Sequence, residues 1–444
     1  MLNILISLLI FTLPFEIIQM PLGGLDIRLH QIILASIVLV LLPRLFKTDP
    51  SQYIGNNLRS LSWYYDNIHI MLLLGMWTMI LIGGLIYGGD IRVTLIRNTV
   101  LLGYIMVFYI LYRYINTRKR LYQALNMVLC STGILILIGL YEAIAFQLGW
   151  NSLQVFPGRV DSLLPEPNWF GMWLAIVYAI TLPLCFYAQK FYQQILLWSL
   201  VLGVILMSIL SVTRASWVAI IAITAFYILY NAIFVRKYKK LIQFIIILGS
   251  VIFGATGMSQ LGLTDFNLRD RLTSIISQET TYYYEVNEET GEEIPIDSTK
   301  ITPENNDKVK VRKEVDVNVM SRRDGYIVSG SVIAQHLFTG VGLAGYENRV
   351  GEGYNTNNLL LAIAVGGGII AISLFLSFLY IIIKQSSLII RTDAQLSAIS
   401  LGSLFATLIT GMFNDNLLMG FTWLILGLVA SIPEVVWKES EHVK

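Results

Sequence analysis

The chain contains, at residues 69–89, the run HIMLLLGMWTMILIGGLIYGG, which holds no Asp, Glu, Lys or Arg. A helix needs about 20 such residues to cross the hydrocarbon core of a membrane. Similar runs recur along the sequence, and 55% of the 444 residues are hydrophobic while 14% are charged. Soluble domains carry roughly 25% charged residues. The sequence therefore excludes an ordinary soluble protein and predicts a polytopic membrane protein.

Twelve runs of this kind predict twelve membrane-spanning helices. Strands of a membrane barrel alternate apolar and polar residues, whereas these runs are continuously apolar, so the predicted fold is an all-α helical bundle. One large hydrophilic segment separates spans 9 and 10. We place the spans at residues 3–20, 29–45, 69–89, 98–116, 122–149, 169–188, 194–212, 215–235, 241–260, 357–383, 395–413 and 417–436.

This pattern predicts three parts of the chain. Residues 1–260 form the bundle of spans 1–9, residues 261–356 form a large extracytoplasmic loop, and residues 357–444 contain spans 10–12 and a short cytoplasmic tail. The N-terminal run lacks a basic start and a small-residue cleavage site, so it reads as a first span and not as a removable signal.

Within the large loop, local patterns differ. Residues 268–276 and 322–338 are expected to be amphipathic helices along the membrane surface. Alternation of Val with polar residues from Lys308 to Val319 predicts a short strand or hairpin. The acidic stretch from Tyr282 to Glu293 carries no recognisable motif and is expected to be a solvated loop.

The basic residues predict the orientation. With the N-terminus in the cytoplasm, the short inner loops hold sixteen Lys and Arg and the short outer loops hold five. This positive-inside bias places both termini in the cytoplasm and the large loop outside. The net charge of +2 shows no basic excess of the kind that binds nucleic acid.

Several arginines lie on the outer side, where the charge bias does not place them. An arginine offers a planar fork of donors that fits phosphate oxygens, so an external cluster of them suits a lipid pyrophosphate. The alternative for each is contact with lipid headgroups or a neighbouring acid. A functional role is favoured most for Arg214, because its turn SVTRAS is so short that the charge must lie near the apolar boundary. The outer arginines are Arg159, Arg214, Arg271, Arg322, Arg323 and Arg349.

The motif PEPNWFG precedes span 6. Its prolines stiffen the loop, Asn168 is placed to cap the following helix, and Glu166 is held near the outer surface. A helix cap with no further role is the alternative. Glu142, inside span 5, reads equally well as an intramembrane acid or as a residue that reaches the interface.

The histidines and cysteines show no metal-binding pattern. The chain has four His and two Cys with no ligand spacing, so we expect no metal and no cofactor. His336, in the large loop, is either a structural hydrogen-bonding residue or a proton acceptor. The nearby glycines of TGVGLAG match G-x-G-x-x-G, but without a βαβ context they indicate a tight turn with close backbone approach.

Taken in order, four stretches of the sequence resemble the bacterial O-antigen ligase and O-antigen polymerase superfamily. They are GRVDSLLPEPNWFGMWLA, SVTRASWVA, RRDGYIVSGSVIAQHLFTGVGLAGY and YNTNNLLLAIAVGGGIIA, and together they span about residues 150–372. Two positions depart from the family. Leu337 replaces the proline of its His-Pro, and Thr356, with Asn355 as the neighbouring register, falls where the family has a histidine before Asn357.

The resemblance implies inverting, metal-independent transfer of a glycan from undecaprenyl pyrophosphate to an acceptor hydroxyl. It implies a leaving-group site of arginines, chiefly Arg214, Arg322 and Arg159, and a proton acceptor among His336, Glu166 and Asp324. Further pyrophosphate or glycan contacts implied by the motifs are Arg271, Arg323, Arg349, Asn168, Asn355, Thr356 and Asn357.

Polymerisation of surface polysaccharide repeat units is the first hypothesis, because the ligase histidine is replaced. Alternatives are a ligase that moves glycan onto lipid A core or protein, and, from another class, a flippase or transporter for lipid-linked oligosaccharides. Transporters concentrate ionisable residues or broken helices near the midplane, whereas here charge lies at the outer rim. The implied location is the bacterial inner membrane, with a chain-length regulator or other polysaccharide-assembly proteins as partners.

Overall fold

A computed structural model describes the chain apart from residues 23–24, 48–60, 151–157, 236–244, 246–248, 250–278, 287–292, 297–308, 316, 351–355 and 443–444. The helices are α1 (Leu2–Thr12), α2 (Leu29–Lys47), α3 (Leu61–Tyr87), α4 (Ile91–Tyr114), α5 (Arg118–Gln147), α6 (Pro167–Tyr187), α7 (Phe191–Leu210), α8 (Arg214–Tyr230), α9 (Val317–Gln335), α10 (Gly342–Val350), α11 (Leu359–Leu388), α12 (Ala394–Gly411) and α13 (Gly420–His442). The strands are β1 (Gln19–Leu22), β2 (Leu25–Arg28), β3 (Glu279–Val286), β4 (Glu293–Ile296) and β5 (Val309–Val315).

Nine helices in the described part of the chain are long and apolar enough to cross a membrane, namely α3–α8 and α11–α13. Two shorter apolar helices, Leu2–Thr12 and Leu29–Leu41, coincide with the first two predicted spans. The predicted span 241–260 lies almost entirely outside the described residues. The all-α polytopic class is therefore confirmed, while the count of twelve spans stays a prediction.

The first apolar helix is shorter than the predicted span 3–20. Helix α1 ends at Thr12, because Pro14 has no N–H with which to continue the helical hydrogen bonds. The chain then forms an antiparallel hairpin of β1 and β2, in which Gln19 lies opposite Arg28. An apolar composition alone could not distinguish this hairpin from a continued helix.

Helices α6 and α13 form the centre of the bundle. In each, 89% of the most apolar 18-residue stretch is buried within the protein, whereas the other spans leave a larger part of their surface exposed on the side that would face lipid. A helix that is apolar on all sides packs in the interior of a bundle. Trp173 of α6 meets Phe421 of α13 edge-on, with ring centroids 5.9 Å apart.

Charged residues tie the helix ends together at one end of the bundle. Arg118, at the start of α5, donates to Asp393 at 2.9 Å and to Glu439 at 2.8 Å. Asp393 also caps α12 by accepting from the Leu396 N–H at 3.0 Å. We call this end the Arg118 end, and the opposite one, where α6, α8, α11 and α13 begin, the cavity end.

Helix α11 is broken near its start and joined there to the segment before α10. Gly367 and Gly368 leave helical geometry, with φ of +67° at Gly368. Backbone bonds replace the lost helical ones, since Ile369 N–H donates to Leu337 O at 2.7 Å and Val341 N–H donates to Val365 O at 2.8 Å. The segment 337–342 is thereby fixed against the bundle.

The large hydrophilic segment contains a three-stranded antiparallel sheet in the order β4-β3-β5. Strand β5 confirms the strand predicted between Lys308 and Val319, although it ends at Val315 because α9 follows. The expectation of a solvated loop from Tyr282 to Glu293 is wrong for its described residues, since β3 runs to Val286 with Tyr283 opposite Val311 and β4 begins at Glu293. Residues 287–292 of that stretch lie outside the described residues. Threonine and tyrosine favour strands, and this propensity outweighs the acidic composition.

Candidate functional site

A cavity of about 260 Å³ lies at the cavity end of the bundle. Its described lining combines one cation, one carboxyl group, two hydroxyl groups and the aromatic side chains of a Trp and a Tyr, contributed by well-separated parts of the chain. Such a mixture of aromatic faces and convergent polar groups is typical of ligand sites. The polar and aromatic lining residues are Arg97, Trp169, Tyr346, Thr356 and Asp415.

Asp415 supplies the carboxyl group from the turn between α12 and α13. Its Oδ1 accepts from the Leu417 N–H at 3.1 Å and its Oδ2 from the Thr356 hydroxyl at 3.2 Å. Loss of solvation raises the pKa of Asp415 from its usual 3.8 to about 6, against the opposing effects of these two hydrogen bonds and of Arg97. A carboxyl group whose pKa is raised towards neutrality can both lose and accept a proton near neutral pH.

Thr356 connects the YNTNN stretch to this turn. It is buried, with 5% of its surface exposed. Its neighbour Asn357 has a positive φ of 48°, which is uncommon for a residue other than glycine and marks local strain. Asn358 then caps α11 through the N–H groups of Leu360 and Leu361, and its amide donates to Met412 O at 3.3 Å. The start of α11 is thus held against the Asp415 turn.

Arg97 supplies the cation from the second turn of α4. Its Nη1 donates to Leu343 O at 2.8 Å, which fixes the guanidinium beside the start of α10. It is close enough to Asp415 to lower the pKa of that carboxyl group electrostatically. The cavity therefore holds a positive and a negative group, an arrangement suited to a polar substrate with both donors and acceptors.

The side chain of Arg159 joins the turn before α8 to the first turn of α6. Its Nε donates to Ser211 O at 3.1 Å and its Nη2 to Asn168 Oδ1 at 3.3 Å. Burial raises the pKa of Glu166, while the positive charge of Arg159 lowers it. Asn168 directly precedes Trp169, which lines the cavity, but Arg159 and Asn168 are themselves not part of the lining.

The predicted cap of α6 is corrected by this geometry. The helix begins at Pro167, so its N-cap is Glu166, whose side chain makes no capping hydrogen bond. Asn168 lies inside the first turn and accepts from Arg159. With Pro167 at the first helical position, the helix starts two residues earlier than a cap at Asn168 would give.

Arg214 is the first residue of α8, directly after a strained turn. Val212 has a positive φ of 53°, and the Thr213 hydroxyl donates to Pro167 O at 3.0 Å. The Val160 N–H donates to Leu210 O at 3.2 Å. The turns that carry Arg159 and Arg214 are therefore packed against each other and against the start of α6.

Arg322 and Arg323 lie on α9, Arg322 partly buried and Arg323 exposed. One turn further along, the Tyr326 hydroxyl donates to Met412 O at 3.0 Å. This bond places α9 over the turn that carries Asp415. Of the remaining predicted residues, Arg349 lies on α10, while Arg271 and Asn355 lie outside the described residues.

His336 lies away from the cavity lining. Its ring contacts Tyr87 at the end of α3, with centroids 4.4 Å apart. The glycines that follow it form the expected tight turn, with φ of +64° at Gly340 and +74° at Gly342. A Cβ on Gly342 would lie 2.2 Å from the Cα of Gly84. The prediction of close backbone approach is confirmed.

Among the described residues, the arginine that lines the cavity is Arg97, and the predicted arginines Arg159, Arg214 and Arg322 are not part of its lining. Sequence reasoning missed Arg97 and Asp415 as site residues. Asp415 had a signal, since FNDNLL places three polar residues in the short turn between two apolar spans. Arg97 had none beyond its place near the outer end of a span. No group of three His, Cys, Asp or Glu in the described chain could hold a metal ion.

The fold and site define a polytopic helical membrane protein with a polar, charged cavity at one end of its bundle. A family model described as O-antigen ligase matches residues 198–376, from α7 into α11. The match confirms the resemblance to the O-antigen ligase and polymerase superfamily, whose members are membrane glycosyltransferases. No curated protein matches the chain.

Proposed function

We propose that this protein transfers a glycan from undecaprenyl pyrophosphate to an acceptor hydroxyl at the cavity end, and that it polymerises surface polysaccharide repeat units. The observation that carries this proposal is the cavity itself. Trp169, Thr356 and Asp415 line it together with Arg97. The turns of Arg159 and Arg214 pack against the start of α6, the helix that carries Trp169, and these turns belong to the stretches that resemble the superfamily.

In the proposed reaction, the acceptor oxygen attacks the anomeric carbon from the face opposite the pyrophosphate. The carbon–oxygen bond to pyrophosphate breaks, a glycosidic bond forms with inversion, and undecaprenyl pyrophosphate leaves. Arginines stabilise the leaving group because negative charge develops on it in the transition state. Arg159 and Arg214 are assigned this role, with Arg97 and Arg322 beside them, and no metal or cofactor is required.

The acceptor's proton needs a base within about 3 Å of the attacking oxygen. We assign Asp415, because it is the cavity's carboxyl group and burial raises its pKa to about 6. The earlier candidates fit less well. Asp324 is exposed on α9, His336 contacts Tyr87, and Glu166 lies near Arg159 and is not part of the cavity lining.

Polymerase and ligase differ in the acceptor. Thr356 occupies the position of the ligase histidine and cannot take a proton itself, which favours the polymerase. The description of the matching family model favours the ligase. Both schemes place the cavity end outside the cytoplasm in a bacterial inner membrane, with both termini inside.

Reconstitution with a defined lipid-linked oligosaccharide tests the function. A polymerase yields longer glycan on the same carrier, and a ligase yields glycan on an added lipid A core acceptor. Movement of the lipid across the bilayer with no new glycosidic bond would support a transporter and contradict the proposal.

Charge variants test the leaving-group site. We expect Arg214→Ala, Arg322→Ala and Arg97→Gln to reach the membrane in normal amounts while long glycan chains disappear and lipid-linked units accumulate. Arg92→Ala, an exposed arginine on the first turn of α4, is the matched control and should retain wild-type chains. Normal chain-length ladders in the three site variants would defeat the assignment.

A further inference from the structure

A second cavity, of about 860 Å³, lies at the Arg118 end of the bundle, between α1 and the start of α5. It is separate from the cavity that contains Asp415, which lies at the opposite helix ends. Its lining combines polar, basic and apolar residues. Among them are Asn3, Ser7, Leu8, Phe11, Lys119, Arg120 and Met127.

The lining changes from polar to apolar along the helix axes. At the helix ends, Asn3 and Lys119 border the cavity, and Phe11 and Met127 lie eight residues further along their helices, about 12 Å deeper. Ile4 and Leu8 remain 65% and 44% exposed. Such a gradient matches a lipid with its headgroup at the helix ends and its acyl chains beside the apolar walls.

Among the described residues, Lys119 and Arg120 are the charged members of the lining, and both are positive. The Arg120 guanidinium is oriented by a bond to Asn116 Oδ1 at 3.0 Å and another to Tyr114 O at 3.2 Å. It also lies 4.9 Å from the centre of the Tyr114 ring. Lys119 is exposed beside it. Two cations and a set of amide and hydroxyl groups are therefore gathered at headgroup depth.

From this geometry we infer that the α1–α5 cavity binds an anionic phospholipid, with its phosphate at Lys119 and Arg120 and an acyl chain along Leu8, Phe11 and Met127. The ammonium group of a zwitterionic lipid would add a positive charge beside Lys119 and Arg120, so an anionic headgroup is preferred. A soluble protein segment does not fit, because the inner walls lie on the apolar faces of helices that contact hydrocarbon. The inference is independent of the proposed catalytic function.

Native mass spectrometry on full-length protein in nanodiscs tests this site. With discs of phosphatidylglycerol and phosphatidylethanolamine in equal amounts, the wild-type protein should retain phosphatidylglycerol preferentially. Lys119→Gln and Arg120→Gln should each reduce that preference about fivefold, as expected for one cation near a membrane surface. Lys384→Gln is the control, since Lys384 is an exposed lysine near the same end, on α11, and should leave the preference unchanged.

A second variant separates lipid binding from a general loss of charge. Ser7→Phe keeps both cations but fills the cavity behind them, so it should displace the retained lipid of either class. Correctly folded protein is verified by its elution as a single species in size-exclusion chromatography. Equal retention of the two lipids by the wild type, an unchanged preference in Lys119→Gln, or an unchanged amount of retained lipid in Ser7→Phe would overturn the inference.

Discussion

Asp415 shows how burial sets the chemistry of a single residue. Its carboxylate is held by the Thr356 hydroxyl and the Leu417 N–H, and it faces a cavity that also contains Arg97. These contacts favour the charged form, yet the loss of solvation is larger and raises the pKa to about 6. The same aspartate in water would be a weaker base by about two pKa units.

Substitution of Asp415 by Asn should abolish glycan transfer, because an amide cannot accept the acceptor's proton. In the wild-type enzyme, activity should fall as the pH is lowered through about 6, where Asp415 becomes protonated. The pH profile of initial rates with reconstituted protein measures this. A wild-type rate that stays constant from pH 7 to pH 5, or an active Asp415→Asn variant, would exclude Asp415 as the base.

The stability of the fold should depend on pH in the opposite way to the activity. A folded-state pKa raised above the unfolded value means that the ionised carboxylate destabilises the fold at neutral pH, and that this cost disappears as the pH falls from 6 towards 4. From 3.8 to about 6, the cost is at most on the order of 3 kcal/mol, less where water in the cavity solvates the group. Asp415→Asn should therefore unfold at a higher temperature than wild type at pH 7.5, and at a similar one at pH 4.5.

Thr356 provides a second prediction at the residue scale. Its hydrogen bond lowers the pKa of Asp415, so Thr356→Val should raise that pKa and move the acid limb of the rate profile to higher pH. Thr356→His restores the histidine of the related ligases beside the same carboxyl group and should change the rate markedly. Rates and pH profiles unchanged in both variants would mean that Thr356 does not act at the reacting atoms.

At the scale of elements, glycines allow the segment before α10 to pack against α3 and α11. Gly340 and Gly342 have positive φ, and the Gly342 backbone contacts Gly84. The break in α11 at Gly368 is closed by backbone bonds from the same segment. A broken helix also occurs in transporters, but here the bonds at Val365 and Ile369 are made to protein.

Gly342→Ala tests this packing. Its Cβ would lie 2.2 Å from the Gly84 Cα at a backbone φ of +74°, so neither side-chain adjustment nor rotation relieves the clash. We expect a loss of stability of several kcal/mol or poor accumulation in the membrane. Gly330→Ala is the matched control, because no atom lies within 4 Å of its Cβ on α9. This variant should be neutral or more stable by up to about 1 kcal/mol, as measured by thermal unfolding in detergent.

At the scale of the whole molecule, the described bundle has two chemically different ends. One carries the cavity with Arg97 and Asp415, and the turns with Arg159 and Arg214 lie at the same helix ends. The other carries the Arg118–Asp393–Glu439 ion pairs and the lysines of the predicted inner loops. This separation fits a protein whose substrate arrives from one side of the membrane.

Thiol labelling in intact cells tests the orientation. In a variant without Cys130 and Cys185, Asp324→Cys at the cavity end should react with a membrane-impermeant maleimide, once the outer envelope is opened. Lys190→Cys at the Arg118 end should react only after the inner membrane is permeabilised; both positions are exposed. The reverse pattern would place the cavity in the cytoplasm and contradict transfer on the outer side.

The sequence by itself determined the class of the fold, most of its helices and the stretches from which the site is built. Span length and apolar composition are local properties, so they can be read from consecutive residues. The turn at Gly340 and Gly342 was predictable for the same reason. The hairpin after Pro14 and the strand from Glu279 were not, because each of these short strands is decided by the strand with which it pairs and not by its own composition.

Only the tertiary structure decided which polar groups meet. Arg97 and Asp415 lie far apart in the sequence and became neighbours because α4, α10 and α13 pack at one end of the bundle. The same packing placed His336 against Tyr87 and away from the cavity. The proximity of Arg97 to Asp415 and the desolvation of Asp415 depend on the whole arrangement of helices. These two properties make Asp415 the candidate base.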